Sequence, residues 1–133
     1  MISFLLSIRQ PIRIFFVFLY VGCIMALSLL PPQDFPRLPM FPHIDKLVHF
    51  SMYFIFSLLS CWALKTESNY FRLLFIIFVT GSWGIFMEYA QLIMHIGRTF
   101  SWFDVLFNCI GVLFGILFYV IVIQFSNHRQ TAA

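Results

Sequence analysis

The stretch EYAQLIMHIGRTFSWFDVLFN, residues 88–108, places polar and ionisable side chains between two long hydrophobic runs. Only 10% of the 133 residues are charged, so such a concentration is unusual within this chain. The hydrophobic runs on both sides predict two helices that meet at this segment. Its polar and ionisable side chains include Glu88, Gln91, His95, Arg98, Asp104 and Asn108.

The composition of the whole chain indicates that most of it lies in lipid. The sequence is 62% hydrophobic and 20% aromatic, with a mean hydropathy of +0.95. A helix crosses a hydrocarbon layer of about 30 Å with about 20 apolar residues. We therefore predict an all-α membrane protein, a compact bundle of four transmembrane helices in a single domain, 1–133. The predicted spans are residues 12–30, 47–64, 71–96 and 102–125, followed by a frayed tail, 126–133.

The basic residues favour one orientation in the membrane. Short cytoplasmic loops are enriched in Lys and Arg, and five basic residues fall on the side of the two termini against three on the other side. Both termini are thus expected on the cytoplasmic side of the membrane. The Pro-rich loop 31–46 is expected outside, as a strap that cannot be one helix. The first group is Arg9, Arg13, Lys65, Arg72 and Arg129, and the second is Arg37, Lys46 and Arg98.

Polar side chains form one stripe on each of the last three predicted spans. The spans enter, leave and re-enter the membrane on one side, so a rise of about 1.5 Å per residue brings the stripes to the same depth. The sequence predicts a polar funnel, with Gly111 and Gly115 spaced for close helix packing. The stripes are Asp45, His49 and Tyr53; Glu88, Gln91 and His95; and Asp104, Asn108, Gly111 and Gly115.

Several of these residues have simpler interpretations. Asp104 follows Ser101 at a capping-box spacing, and Asp45 could be a plain N-cap. Lys46 could anchor the helix at the interface, while Gln91 and Asn108 could hydrogen-bond neighbouring helices. Glu88 and His49 fit these interpretations poorly, because an ionisable group inside the membrane is costly and indicates function by default. The joint pattern therefore favours a site.

Two segments resemble the VanZ-like family of bacterial membrane proteins. They are DKLVHFSMY (residues 45–53) and EYAQLIMHIGRTFSWFDVLFNCIGVLFG (residues 88–115). The shared pattern is Asp-Lys-x-x-His-Phe, then Glu-x-x-Gln, Gly-Arg and Asp-x-x-x-Asn-x-x-Gly-x-x-x-Gly. The bulky residues before Gly97 depart from the family, which often has proline there. The resemblance implies a small integral protein of the cell envelope, with a link to teicoplanin resistance and no settled biochemical activity.

The first functional hypothesis is a site that binds or modifies an envelope lipid or lipid-linked headgroup. Glu88, His49 and Asp104 are the acid–base candidates. The substrate-binding candidates include Lys46 and Arg98, which would hold an anionic group. Whether the protein is an enzyme stays open, since no nucleophile motif or phosphate loop is present. The remaining substrate-binding candidates are Asp45, Tyr53, Gln91 and Asn108.

Alternatives come from other classes of protein. The polar cluster could pair internally, in a structural protein or a proton relay. A weaker hypothesis is a metal site made by His49, Glu88 and Asp104. These residues lie on separate predicted helices, so their spacing in the sequence neither supports nor excludes such a site. We assign no metal ligands and expect no cofactor. No basic patch with interleaved aromatic residues suggests nucleic acid, and the oligomeric state is left open.

Overall fold

The fold is a bundle of helices. The computed structural model describes residues 2–30, 44–66, 69–94 and 100–131. These residues form five helices and no strand: α1 (Ile2–Ser7), α2 (Gln10–Leu29), α3 (Ile44–Leu64), α4 (Tyr70–Met94) and α5 (Trp102–Thr131). Helices α2 to α5 are each long and apolar enough to cross a membrane. The prediction of an all-α membrane protein with four spans is confirmed. The Pro-rich segment 31–43, His95 and Arg98 lie outside the described residues.

The helix boundaries follow local chemistry and correct two expectations. Pro11 occupies the first turn of α2, where a missing N–H costs nothing. Helix α3 begins at Ile44, three residues before the predicted span, and therefore includes Asp45 in its first turn. The tail predicted to fray after Ser126 instead continues α5 to Thr131, because no Gly or Pro interrupts the helix there. The short helix α1 was not predicted.

Helices α3 and α5 pack closely against each other at two glycines. A Cβ atom added at Gly111 would lie 2.4 Å from the Phe50 carbonyl oxygen. One added at Gly115 would lie 2.3 Å from the Phe54 carbonyl oxygen and 2.2 Å from the Ser57 hydroxyl oxygen. Only a hydrogen fits at either position, so the small side chains set the distance between the two backbones.

The core lies between the helices, and their outer faces carry exposed apolar side chains, many of them aromatic. Ile24, Tyr53 and Val112 are almost fully buried and belong to one cluster that draws on all four long helices. Phe71 and Phe78 are more than two-thirds exposed, at 79% and 71%. Apolar surface of this kind is stable against lipid and unstable against water. The side chains therefore divide between helix packing and lipid contact.

Two arginines hold the C-terminal end of α3. Arg13 is 3% exposed; its guanidinium donates to the Trp62 carbonyl and lies 5.8 Å from the centre of the Trp62 indole. Arg72 donates to the carbonyls of Leu64 (2.8 Å) and Lys65 (3.2 Å). The last carbonyls of a helix lack partners within it, and cations there also complement the helix dipole. Both arginines thus have a structural role that the sequence analysis did not assign.

The glycine contacts give a first testable prediction. Gly111→Ala and Gly115→Ala force the backbones of α3 and α5 apart, and each should lower the free energy of unfolding by about 1–3 kcal/mol. Gly81→Ala is the matched control, because nothing lies within 4 Å of a Cβ atom at that helical position. Thermal unfolding of the three variants in one detergent is the measurement. Equal stability of all three would contradict close packing at Gly111 and Gly115.

Candidate intramembrane polar site

The polar side chains predicted on three helices meet at one end of the bundle. Helices α3 and α5 begin there and α4 ends there, so their stripes share one level. His49 on α3 is central and 8% exposed. Its Nδ1 lies 3.1 Å from Asn108 Oδ1 on α5 and 3.7 Å from Glu88 Oε1 on α4, and its Nε2 lies 4.0 Å from Asp104 Oδ2 on α5. The structure thus brings four of the candidate residues together.

Glu88 links the end of α4 to the start of α5. Its side chain is 1% exposed, and Oε2 accepts a hydrogen bond from the Ser101 backbone N–H at 3.3 Å. Its other carboxylate oxygen faces His49. A carboxylate inside a membrane helix is stable only with such polar neighbours. The geometry fixes both where Glu88 points and which of its oxygens faces the centre of the site.

Lys46 lies at the rim of the cluster. Its Nζ is 2.7 Å from Asp45 Oδ2 and 3.3 Å from Asp104 Oδ1. The Asp45 side chain is 55% exposed, while those of Lys46 and Asp104 are 20% and 15% exposed. An exposed pair such as Lys46–Asp45 contributes only about 0–1 kcal/mol, so it is easily exchanged for another anion. Lys46 therefore connects the buried carboxylate to the surface of the bundle.

The backbone and the side chain of Asp104 have different partners. Ser101 Oγ accepts from the Asp104 backbone N–H at 3.3 Å, which is the N-cap contact that the spacing suggested. The Asp104 carboxylate points instead to Lys46 and His49. Asp45 lies inside the first turn of α3, so it is not the N-cap residue. Ser101 therefore caps α5, whereas the carboxylate of Asp104 belongs to the polar cluster.

Gln91 makes an interhelical contact outside the cluster. Its Nε2 donates to the Ser28 carbonyl at 2.9 Å, in the last turn of α2. Both residues are buried, at 3% and 4% exposed. This is the hydrogen bond between helices that the sequence left open as the alternative for Gln91. Its partner could not be predicted from the sequence, because a backbone carbonyl carries no residue-specific signal.

Two buried donors beside the cluster have no hydrogen-bond partner within the part of the chain that the structure describes. The Tyr53 hydroxyl and Asn108 Nδ2 make no hydrogen bond among the described residues, although the two side chains are only 1% and 2% exposed. They are neighbours across Gly84, where an added Cβ would lie 3.2 Å from Tyr53 Cε1 and 3.3 Å from Asn108 Nδ2. A buried unsatisfied donor costs about 1–3 kcal/mol. The inner wall of the cluster thus offers two hydrogen-bond donors.

An apolar cavity of about 290 Å³ lies at the other end of the bundle, between α1, α3 and α5. Leu5, Leu58, Trp62 and Phe118 are among its lining residues. Helix α3 separates this cavity from His49 by more than two turns. The cavity contributes no polar group to the site, so the chemistry of the bundle is concentrated at the end that holds His49.

The fold and the cluster define a class: a four-span helical membrane protein with ionisable side chains buried between its helices. Within that class, the model of the VanZ/LLP1 family matches residues 11–123. The chain therefore belongs to the VanZ/LLP1 family, and the resemblance found in the two sequence segments is confirmed. No curated protein and no solved structure matches the chain.

The separate roles of Ser101 and Asp104 give a second prediction. Ser101→Ala removes the N-cap and should cost about 1 kcal/mol, with faster amide exchange in the first turn of α5. Asp104→Asn keeps that cap and should leave this exchange unchanged while the contact with Lys46 weakens. Hydrogen–deuterium exchange of residues 102–106 is the measurement. Faster exchange in Asp104→Asn would assign its carboxylate to the helix start rather than to the cluster.

Proposed function

We propose that the protein binds or modifies the polar headgroup of an envelope lipid or lipid-linked molecule at the cluster around His49. The observation that carries the proposal is the burial of Glu88 and His49 inside membrane spans, 1% and 8% exposed. Ionisable groups at such positions are costly and mark functional sites by default. The surrounding aromatic faces are suited to contact with acyl chains.

Each part of the cluster has a role in this proposal. Lys46 attracts an anionic headgroup at the rim, where its weak pair with exposed Asp45 exchanges readily. His49 Nδ1 lies 3.7 Å from Glu88 Oε1 and Nε2 lies 4.0 Å from Asp104 Oδ2, so a small side-chain movement would bring either carboxylate within reach of proton transfer with the ring. Arg98, which lies outside the described residues, belongs with Lys46 on sequence grounds as a second headgroup contact.

The proposal includes a cellular setting. The protein lies in the bacterial cytoplasmic membrane, with both termini in the cytoplasm and the cluster open to the outer leaflet. A link to glycopeptide tolerance is consistent with this setting, because teicoplanin carries an acyl chain as well as polar groups. An acylated drug and an envelope lipid would present similar chemistry to a polar cluster that faces the outer leaflet.

A second candidate function is a structural bundle or a proton relay without a bound substrate. The internal pairs of Lys46 favour it, as does the contact between Gln91 and Ser28. In that case, the charges stabilise the contacts of α3 with α5, and no lipid is preferred. Lipid retention therefore distinguishes the two candidates.

A third prediction concerns Glu88→Gln, which keeps the shape of the side chain and removes its charge. The variant should fold normally and lose the anionic or headgroup-linked lipids that co-purify with the wild type. Mass spectrometry of lipids retained in polymer-extracted membrane discs is the measurement. Tyr89→Phe is the control, because this neighbouring side chain is 51% exposed and lies outside the cluster.

The lipid comparison also tests the alternative. An identical lipid profile for wild type, Glu88→Gln and Tyr89→Phe, all with normal thermal stability, would refute headgroup binding and leave the structural role. Loss of the same lipids in Tyr89→Phe would assign the retention to the outer surface of α4 instead of the cluster.

A fourth prediction tests the orientation. In a background without native cysteines, a membrane-impermeant thiol reagent added outside should label Arg37→Cys and spare Glu67→Cys. The expected result follows from the basic residues beside the termini. The native cysteines Cys23 and Cys109 are exposed, which is why they must be removed first. The reverse labelling pattern would show that the cluster faces the cytoplasm.

A further inference from the structure

We propose that His49, Glu88 and Asp104 bind one divalent transition-metal ion of the Zn²⁺ or Mn²⁺ type. One ligand atom from each of the three residues lies within 4.8 Å of the others. Around one ion with bonds of about 2.1 Å, ligand atoms lie up to about 4.2 Å apart. Small side-chain rotations would therefore bring the three ligand atoms close enough to bind one ion.

The donor set determines the class of ion. One imidazole nitrogen and two carboxylate oxygens, each from a different helix, suit zinc, manganese or iron. A soft ion such as Cu⁺ would require thiolate or thioether ligands. Mg²⁺ and Ca²⁺ prefer oxygen alone, so the central position of His49 favours a transition metal.

The orientation of the His49 ring supports the assignment. Asn108 Oδ1 can only accept a hydrogen bond, so the 3.1 Å contact requires the hydrogen to be on His49 Nδ1. In the neutral ring, Nε2 then carries the lone pair, and Asp104 Oδ2 lies 4.0 Å from this atom. Their separation of 4.0 Å is too long for a hydrogen bond and about the sum of two metal–ligand bonds. A metal-bound histidine almost always has such a partner on its other nitrogen.

The two unpartnered donors give independent support for a ligand. The Tyr53 hydroxyl and Asn108 Nδ2 are buried beside the proposed metal ligands and have no acceptor among the described residues. An ion held by three protein atoms keeps positions for further oxygen ligands, such as water or a phosphate oxygen. Such an oxygen would accept hydrogen bonds from these donors and remove the cost of burying them unpaired.

The cation site goes beyond the proposed function and does not depend on it. If a lipid headgroup does bind, the ion would polarise its phosphoryl or carbonyl oxygen as a Lewis acid. Metal binding can be measured without any lipid, and lipid retention can be measured without any metal. Failure of one proposal is therefore distinguishable from failure of the other.

The test is metal binding by the full chain in detergent, purified through an affinity tag without histidine. After chelation, the protein is titrated with Zn²⁺ or with Co²⁺ as a spectroscopic probe, and bound metal is measured by mass spectrometry. The wild type should bind about one ion and show the visible absorption of protein-bound Co²⁺. Asp104→Asn and His49→Gln should lose this ion, while His128→Gln, at an exposed position at the far end of α5, should keep it.

Asn108→Ala tests the positioning of His49. Asn108 holds the ring without touching the proposed ion, so the stoichiometry should remain one while affinity falls by about 10–100-fold. Equal metal binding by wild type, Asp104→Asn and His49→Gln would overturn the proposal. If the ligand variants fail to fold, the proposal is tested by the Tm of the wild type at increasing metal concentration. A Tm that rises with Zn²⁺ concentration supports the site, and a Tm that is independent of Zn²⁺ and Mn²⁺ overturns it.

Discussion

The close approach of α3 and α5 at Gly111 and Gly115 is the constraint on which the rest of the structure depends. With only hydrogen atoms facing the carbonyls of Phe50 and Phe54, the two backbones are in contact and their register is fixed. Asn108 lies one turn before Gly111, and His49 lies directly before Phe50. The hydrogen bond between His49 and Asn108 is therefore a geometric consequence of glycine packing further along the same pair of helices.

The remaining polar contacts follow from burial at one end of this pair. Glu88 cannot face lipid without a large cost, so α4 turns it toward His49 and the Ser101 N–H. Gln91, one turn further along α4, lies on the α2 side and hydrogen-bonds Ser28. At the opposite end, Arg13 satisfies a carbonyl of α3. Each end of α3 is thus held by polar contacts, and its middle is held by packing.

Much of the fold could be predicted from the sequence because each signal was local. Continuous apolar runs determine the four spans, and stripes at helical spacing identify the side chains that need polar neighbours. Contacts with backbone groups could not be predicted in this way. The partners of Gln91 and Arg13 are carbonyls, which every residue carries, so only the three-dimensional arrangement identifies them. The continuation of α5 past Ser126 was missed because polar residues in a tail also favour fraying.

The polar groups in and beside the cluster differ in how their hydrogen-bonding capacity is satisfied. Polar residues that served only to join helices would be expected to pair with one another, since a buried unsatisfied donor costs about 1–3 kcal/mol. Gln91 meets that expectation, whereas the Tyr53 hydroxyl and Asn108 Nδ2 have no acceptor among the described residues. Asp104 is also not needed to begin α5, because Ser101 supplies the cap. The carboxylate of Asp104 thus has no capping role, and the two donors lie in the same cluster. This arrangement is expected where a bound ion and its oxygen ligands complete the site.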